Sequence, residues 1–261
     1  MVPVAGSTDG IVRHRAADQI FAALRARIVT GDLARGVRLP AERELAERYR
    51  VSVPTVREAI RALAATGLVD VRHGAGTFVA ADADRVLALH LVTFLQLEAV
   101  ELVDAVNLLR VLDRQAAVQA ATAATAEDIA ALRAAVAGID AAAGTVATIA
   151  DAVTVFLAAV AAASHDRLLG AIARFLIELV VRLEMDGYGD RPAGFWRDWV
   201  SRLQPFRVAL VDAIAAGDVP ATEVAADAYH AAVARQVAEN PRLREMRFSD
   251  GAVVELLADR A

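Results

Sequence analysis

The chain has 261 residues, 57% of them hydrophobic and 23% charged, with no cysteine and a net charge of −5. This composition can bury a sizeable core and excludes disordered and fibrous architectures, while the missing cysteines exclude disulfides, thiolate metal sites and a cysteine nucleophile. The net charge hides an asymmetry, because residues 1–80 carry 12 Arg against 8 acids and residues 81–261 carry 16 Arg against 25. A basic N-terminal third beside an acidic remainder is expected when one domain meets an anion and the other does not. All 28 basic residues are Arg, which in so Ala-rich a chain fits GC-rich coding. The first ten residues lack the basic and apolar segments of a signal peptide. Uncharged runs such as 152–164 fall short of the 18 residues of a membrane span, so the expected location is cytoplasmic, with no membrane partner.

In chain order, Ile20, Leu24 and Ile28 follow helical spacing from Ala16 to Val29, and Gly31 supplies a stop. Pro40 starts a second short helix over 41–49 with acids in its first turn. Ser52 is the expected N-cap of a third, with Pro54 in its first turn and Val56, Ile60 and Leu63 as its apolar stripe. Two β-like runs, 68–72 and 77–80, flank a turn with two glycines and predict a hairpin. Three helices and a two-stranded ribbon have the order of a winged helix-turn-helix. Polar residues 81–84, where the charge changes sign, mark the expected boundary. Beyond it, helical stretches are predicted at 85–97, 99–124, 126–143, 147–163, 167–185, 195–216 and 220–239, with the order of the charged tail 241–261 left open. The predicted fold is therefore mainly α: a winged domain over 1–80, then an all-α bundle of six or seven helices over 85–240.

The segments Leu39-Pro-Ala-Glu-Arg-Glu-Leu-Ala46, Val51-Ser-Val-Pro-Thr-Val-Arg-Glu-Ala-Ile60, Gly67-Leu-Val69 and His73-Gly-Ala-Gly-Thr-Phe-Val79 closely resemble the GntR superfamily of bacterial transcription regulators. The resemblance covers about 60 residues and implies DNA contacts at Arg43, Ser52, Thr55, Arg57, His73 and Gly74. Its physical sense is that a recognition helix offers its N-terminal residues to base edges while the wing and preceding helix meet the backbone. Against this stand surface arginines at 43 and 57 that merely meet water, and a His73 that merely completes a hairpin turn. The family commonly has Arg where this chain has Val53, followed by Pro54. Arg there reads guanine for roughly 1–3 kcal/mol and Val offers only apolar contact, so a different operator is expected.

The helical part resembles the FCD type of effector domain of the FadR subfamily through Glu101-Leu-Val-Asp-Ala-Val-Asn-Leu-Leu-Arg110, Phe156, Ala163-Ser164 and Ala213-Ile-Ala-Ala-Gly-Asp218. Many such domains hold a metal with one Asp and three His. The resemblance places these ligands at Val153, Leu157, Arg207 and either Tyr229 or His230. Groups that cannot coordinate replace three of them, so neither metal nor other cofactor is expected. Metal-free members imply a fatty acyl-CoA effector, with a small carboxylate gripped by Arg as the alternative. Weak effector candidates are Asn107, Arg110, Tyr188 and Trp196. Against them stand an Arg110 buried in a pair with Asp104, Asp113 or another acid, and aromatic residues that only anchor the loop 187–194. The expected activity is that of a homodimeric regulator, a repressor tied to fatty acid metabolism, on a palindromic double-stranded operator. A helical domain used only for dimerisation is the third reading. An enzyme is not expected: no phosphate loop, nucleophile elbow or zincin motif occurs, and no Lys exists for a Schiff base.

Overall fold

The computed structural model describes residues 8–80, 83–142, 145–189, 191–251 and 253. The extreme N-terminus, residues 81–82 of the expected junction and tail residues 254–261 lie outside the described residues. The chain divides into two compact units, 1–91 and 92–261, and the division falls inside helix α4 (Ala83–Leu97).

In the first unit, α1 (Thr8–Val29) and α2 (Glu42–Tyr49) pack against α3 (Val53–Ala65). Ile20, Leu24, Ile28, Leu45, Val56, Ile60 and Leu63 form the core on which all three converge. The turn between α2 and α3 passes through Arg50 in the left-handed region, φ 55°, where its N–H reaches back to the end of α2. Val51 N–H then bonds Ala46 O at 3.0 Å and Ser52 caps α3. The hairpin pairs β1 (Val69–Arg72) with β2 (Gly76–Val79) antiparallel, Val69 opposite Val79. A third extended segment extends it: Leu39 N–H bonds Thr77 O at 2.8 Å and Val79 N–H bonds Val37 O at 2.9 Å. Sequence pattern offers no sign of this edge, because 36–40 reads as turn and shows no alternation.

The second unit is helical: α5 (Leu102–Ala123), α6 (Ala126–Ala141), α7 (Val146–Ala163), α8 (Arg167–Tyr188), α9 (Ala193–Ala215), α10 (Val219–Glu239) and the short α11 (Pro241–Glu245). α5 packs against α7, α8, α9 and α10, and α6 against α7 and α9. Starts are fixed by side chains: Thr125 and Asp128 form a capping box on α6, while Asp166 and Asp218 cap α8 and α10. Pro205 sits within α9 and leaves Ser201 O without its usual partner.

The expectation of no apolar run of membrane length needs correction. Counting from Asp151 stops short, whereas α7 runs back to Val146 and is long and apolar enough, by length and composition, to cross a membrane. Ile149, Val153, Phe156, Leu157 and Val160 of α7 are buried against its neighbours, as in the core helix of a bundle. The first part of the tail, left open by the sequence, is ordered on the start of α5. Leu102 N–H bonds Met246 O, Phe248 N–H bonds Val100 O, and Leu243 and Phe248 are fully buried. Gly187 makes room for this: an added Cβ there would collide with Leu243.

Candidate functional site

The outward edge of α3 begins at Ser52. Its Oγ lies 2.8 Å from Thr55 Oγ1 and accepts from Thr55 N–H at 3.4 Å, so the cap occupies both hydroxyls. Thr55 itself is only 3% exposed and turns toward the core rather than outward, which corrects the expectation of a hydroxyl offered to DNA. Val53 is half-buried against the same core, while Pro54 and Arg57 stand exposed. Arg43 is exposed in the first turn of α2, where the buried Leu45 and Ala46 face inward. His73 and Gly74 are exposed at the tip of the hairpin, with Gly74 at φ 73° and Ala75 N–H bonded to Arg72 O. Arg72 lies over the Phe78 ring at 4.5 Å, stiffening the ribbon. The fold thus leaves Arg43, Pro54, Arg57, His73 and Gly74 all exposed in one unit, and Thr55 apart from them.

Arg57 has a partner that sequence reading missed. Its Nε donates to Glu42 Oε1 at 3.3 Å and Oε2 at 3.1 Å, and its Nη2 donates to Oε2 at 2.8 Å. Fifteen residues separate the two, so no local spacing signals the pair.

In the helical unit, Asn107 and Arg110 fall on the outer face of α5. Val106 and Leu109 turn inward, and each next residue lies about 100° further round the helix. Arg110 is partly exposed, and its Nη1 stands 4.0 Å from Oδ1 of Asp227, an acid of α10. Tyr188 and Trp196 are buried in an aromatic cluster with Phe195 and Trp199, ring centroids 5.1–6.3 Å apart. Tyr188 Oη donates to Gln236 O at 3.2 Å. That is the anchoring role, tying the end of α8 to α9 and α10.

The positions aligned with a metal site do converge. Val153, Leu157, Tyr229 and His230 line one interior cavity of about 30 Å³ with Glu184, Trp199 and Leu203. Arg207 is fully buried, its guanidinium carbon 5.8 Å from the Tyr229 ring and 5.9 Å from the Trp199 ring. Its Nη1 reaches Val200 O at 3.3 Å beside the break at Pro205. Two aliphatic side chains, a guanidinium and, at the last position, either the Tyr229 phenol or the His230 imidazole supply at most one usual ligand, so this donor set does not fit a metal.

The surrounding polar atoms are under-satisfied. Nε and Nη2 of Arg207, Oε1 of Glu184, Nε1 of Trp199 and both Asp113 oxygens are buried without a hydrogen-bond partner. Burial pushes the Glu184 carboxyl up to about 7 against the pull of Arg207, and pushes Asp113 well above the carboxylate range. Burial also lowers His230 to about 4, so the imidazole is neutral beside Asp113, Nε2 to Oδ2 3.6 Å. Glu184 follows Leu176 and Val180 on one stripe, and Arg207 follows Trp199, Val200 and Leu203 on another. A charge set into an apolar stripe is the signal by which sequence could have found both.

Comparison with known proteins assigns a family to each unit. Residues 16–79 match the family described as "Bacterial regulatory proteins, gntR family", and residues 104–232 match the FCD domain. The HTH-type transcriptional regulator Mce2R of Mycobacterium tuberculosis is 42% identical over 69 residues, 26% of this chain and 29% of that protein. The HTH-type transcriptional repressor NanR of Enterobacter sp. is 39% identical over 64 residues, 24% of this chain and 25% of that protein. The matched stretch thus spans under a third of those curated relatives. A solved structure titled "Streptococcus agalactiae GntR" superposes with a TM-score of 0.62 at 22% identity over 84% of this chain and 99% of that one, a likeness of fold. With a GntR match over its winged part and an FCD match over its helices, the chain belongs to the GntR family of bacterial regulatory proteins.

Proposed function

We propose that this chain is a ligand-responsive transcription regulator, acting in the cytoplasm as a homodimer on a palindromic operator. The observation that carries the reading is the exposed N-terminal edge of α3, where Pro54 and Arg57 stand clear of the core in a unit rich in Arg. A helix presented in this way fits the major groove, Arg43 and the His73–Gly74 turn suit the flanking backbone, and a two-fold dimer reads a site of matching symmetry. The helical unit takes the effector, and by linkage effector and operator alter each other's affinity by the same factor.

Two effector classes suit a metal-free interior, a fatty acyl-CoA and a small carboxylate. The interior cavity of about 30 Å³ has room for roughly two water molecules, far below the several hundred Å³ of a drug-sized pocket. A groove of about 570 Å³ between α7 and α8 is larger, but Asp151, Glu178 and Asp186 outnumber Arg182 there and repel CoA phosphates. The unpartnered Nε and Nη2 of Arg207 form the side-on fork that matches a carboxylate, so the geometry favours the small acid. The test is fluorescence polarisation of the full chain on an operator selected from random DNA, at fixed salt. Release by a small monocarboxylate, with a parallel rise in melting temperature, supports the reading. Release by acyl-CoA alone supports the lipid effector instead, and failure to select any sequence overturns the regulator.

A further inference from the structure

We propose that Glu42 is a positioning residue for Arg57, clamping its guanidinium side-on so that the terminal Nη1–Nη2 edge is left to read a guanine. This rests on the DNA-binding reading above and assigns a specificity role to a residue with no other role there. The clamp uses Nε and one face of Nη2, with both Glu42 oxygens engaged at 2.8–3.3 Å. An arginine fork has two carboxylate-matching edges, side-on through Nε and Nη2 and end-on through both Nη atoms. With the first edge occupied, the second still offers two parallel donors, which is the pairing that guanine O6 and N7 accept in the major groove.

Two further features favour reading over masking. Glu42 is the first residue of α2, where a negative side chain is stabilised by the helix N-terminus, so the clamp has a fixed base. Its charge also largely cancels that of Arg57, which weakens attraction to phosphates and leaves a neutral base edge as the better partner. The pair is partly exposed, 50% for Arg57 and 33% for Glu42, so its partners are not committed to the core.

The experiment uses the full chain and its selected operator, with each G·C pair exchanged in turn for A·T, at two salt concentrations. Arg57→Ala is expected to lose about tenfold or more of discrimination at one G·C pair per half-site. Glu42→Ala is expected to lose discrimination at that same pair while binding random DNA more tightly, and to add nothing further in the Arg57→Ala background. Glu42→Asp keeps the charge and shortens the reach, so it is expected to lose discrimination at unchanged net charge. The proposal is overturned if Glu42→Ala leaves the G·C preference intact, if Glu42→Asp behaves as wild type, or if Arg57→Ala weakens every sequence equally with the salt slope falling by about 0.9 per half-site. If the unaltered chain selects no operator, the regulator reading fails instead.

Discussion

Arg57 and Arg207 are the same side chain placed under opposite conditions. On the edge of α3, Arg57 is half exposed and finds both oxygens of Glu42 within 3.3 Å. Inside the helical unit, Arg207 is fully buried with Nε and Nη2 unpartnered, and the acid it pulls on, Glu184, is itself pushed toward neutrality by burial. Water screens the first pair, so losing it costs the fold little. Low dielectric magnifies the second, so a buried charge whose guanidinium is only partly hydrogen-bonded is retained against a real penalty. The contrast teaches where function and stability separate: a change of chemistry on the outer edge leaves stability nearly untouched, whereas a change in the interior moves it, up or down according to whether it removes packing or a buried charge.

Phe156→Ala should have the largest effect. The ring is fully buried and meets Tyr229 edge-on at 6.0 Å, so its loss should lower stability by about 3–5 kcal/mol. Both tryptophans, Trp196 and Trp199, lie in the helical unit, so urea unfolding followed by tryptophan fluorescence reports that unit by itself. An effect as small as that of an exposed substitution would break the comparison.

Glu184→Gln should come next, with a sign set by pH. The folded carboxyl titrates near 7 and its ordinary value is 4.5, so between those limits the folded chain holds a proton that the unfolded chain releases. Stability is therefore lost as pH rises from about 4.5 to 7, by roughly 3 kcal/mol. The variant should escape that loss and exceed wild type most at pH 8. His230 opposes in the same range: its folded value near 4 lies below 6.5, so stability is lost as pH falls from 6.5 to 4. Asp113, also raised by burial, adds a loss of the same sign as that of Glu184 and is common to both proteins, so urea midpoints across pH 4–8 should fall less with rising pH in Glu184→Gln than in wild type.

Gly187→Ala should cost about 1–3 kcal/mol, because the new methyl meets Leu243 of the ordered tail. Arg57→Ala should leave the melting temperature unchanged while operator binding falls sharply, and a collapse on heating would show that the outer edge carries structure after all.

Much of this was legible in the sequence. Apolar spacing and capping residues placed the helices within about three residues of where they fold, except that α1 begins at Thr8, eight residues before the expected Ala16. The motif from Leu39 to Val79 marked the winged unit, because helix caps, glycine turns and stripes are local and each is set by a handful of neighbours. Arg57 was legible as an exposed residue, since its neighbours on α3 define which face is buried.

Other features required the chain to be folded. The pairing of Glu42 with Arg57, the inward turn of Thr55, the tail docked on the start of α5 and the third edge of the wing all join segments through backbone or packing that local pattern does not encode. The interior cluster is the clearest case. Asp113, Glu184, Trp199, Arg207 and His230 come from four helices, and only their packing decides that five polar side chains share one apolar interior. Sequence by itself determined the elements, their order and the face each buries, because those follow from neighbours a few residues away. Tertiary structure alone decided which charges meet, because ionisation and partnership depend on distance and dielectric, and both are set by residues far apart in the chain.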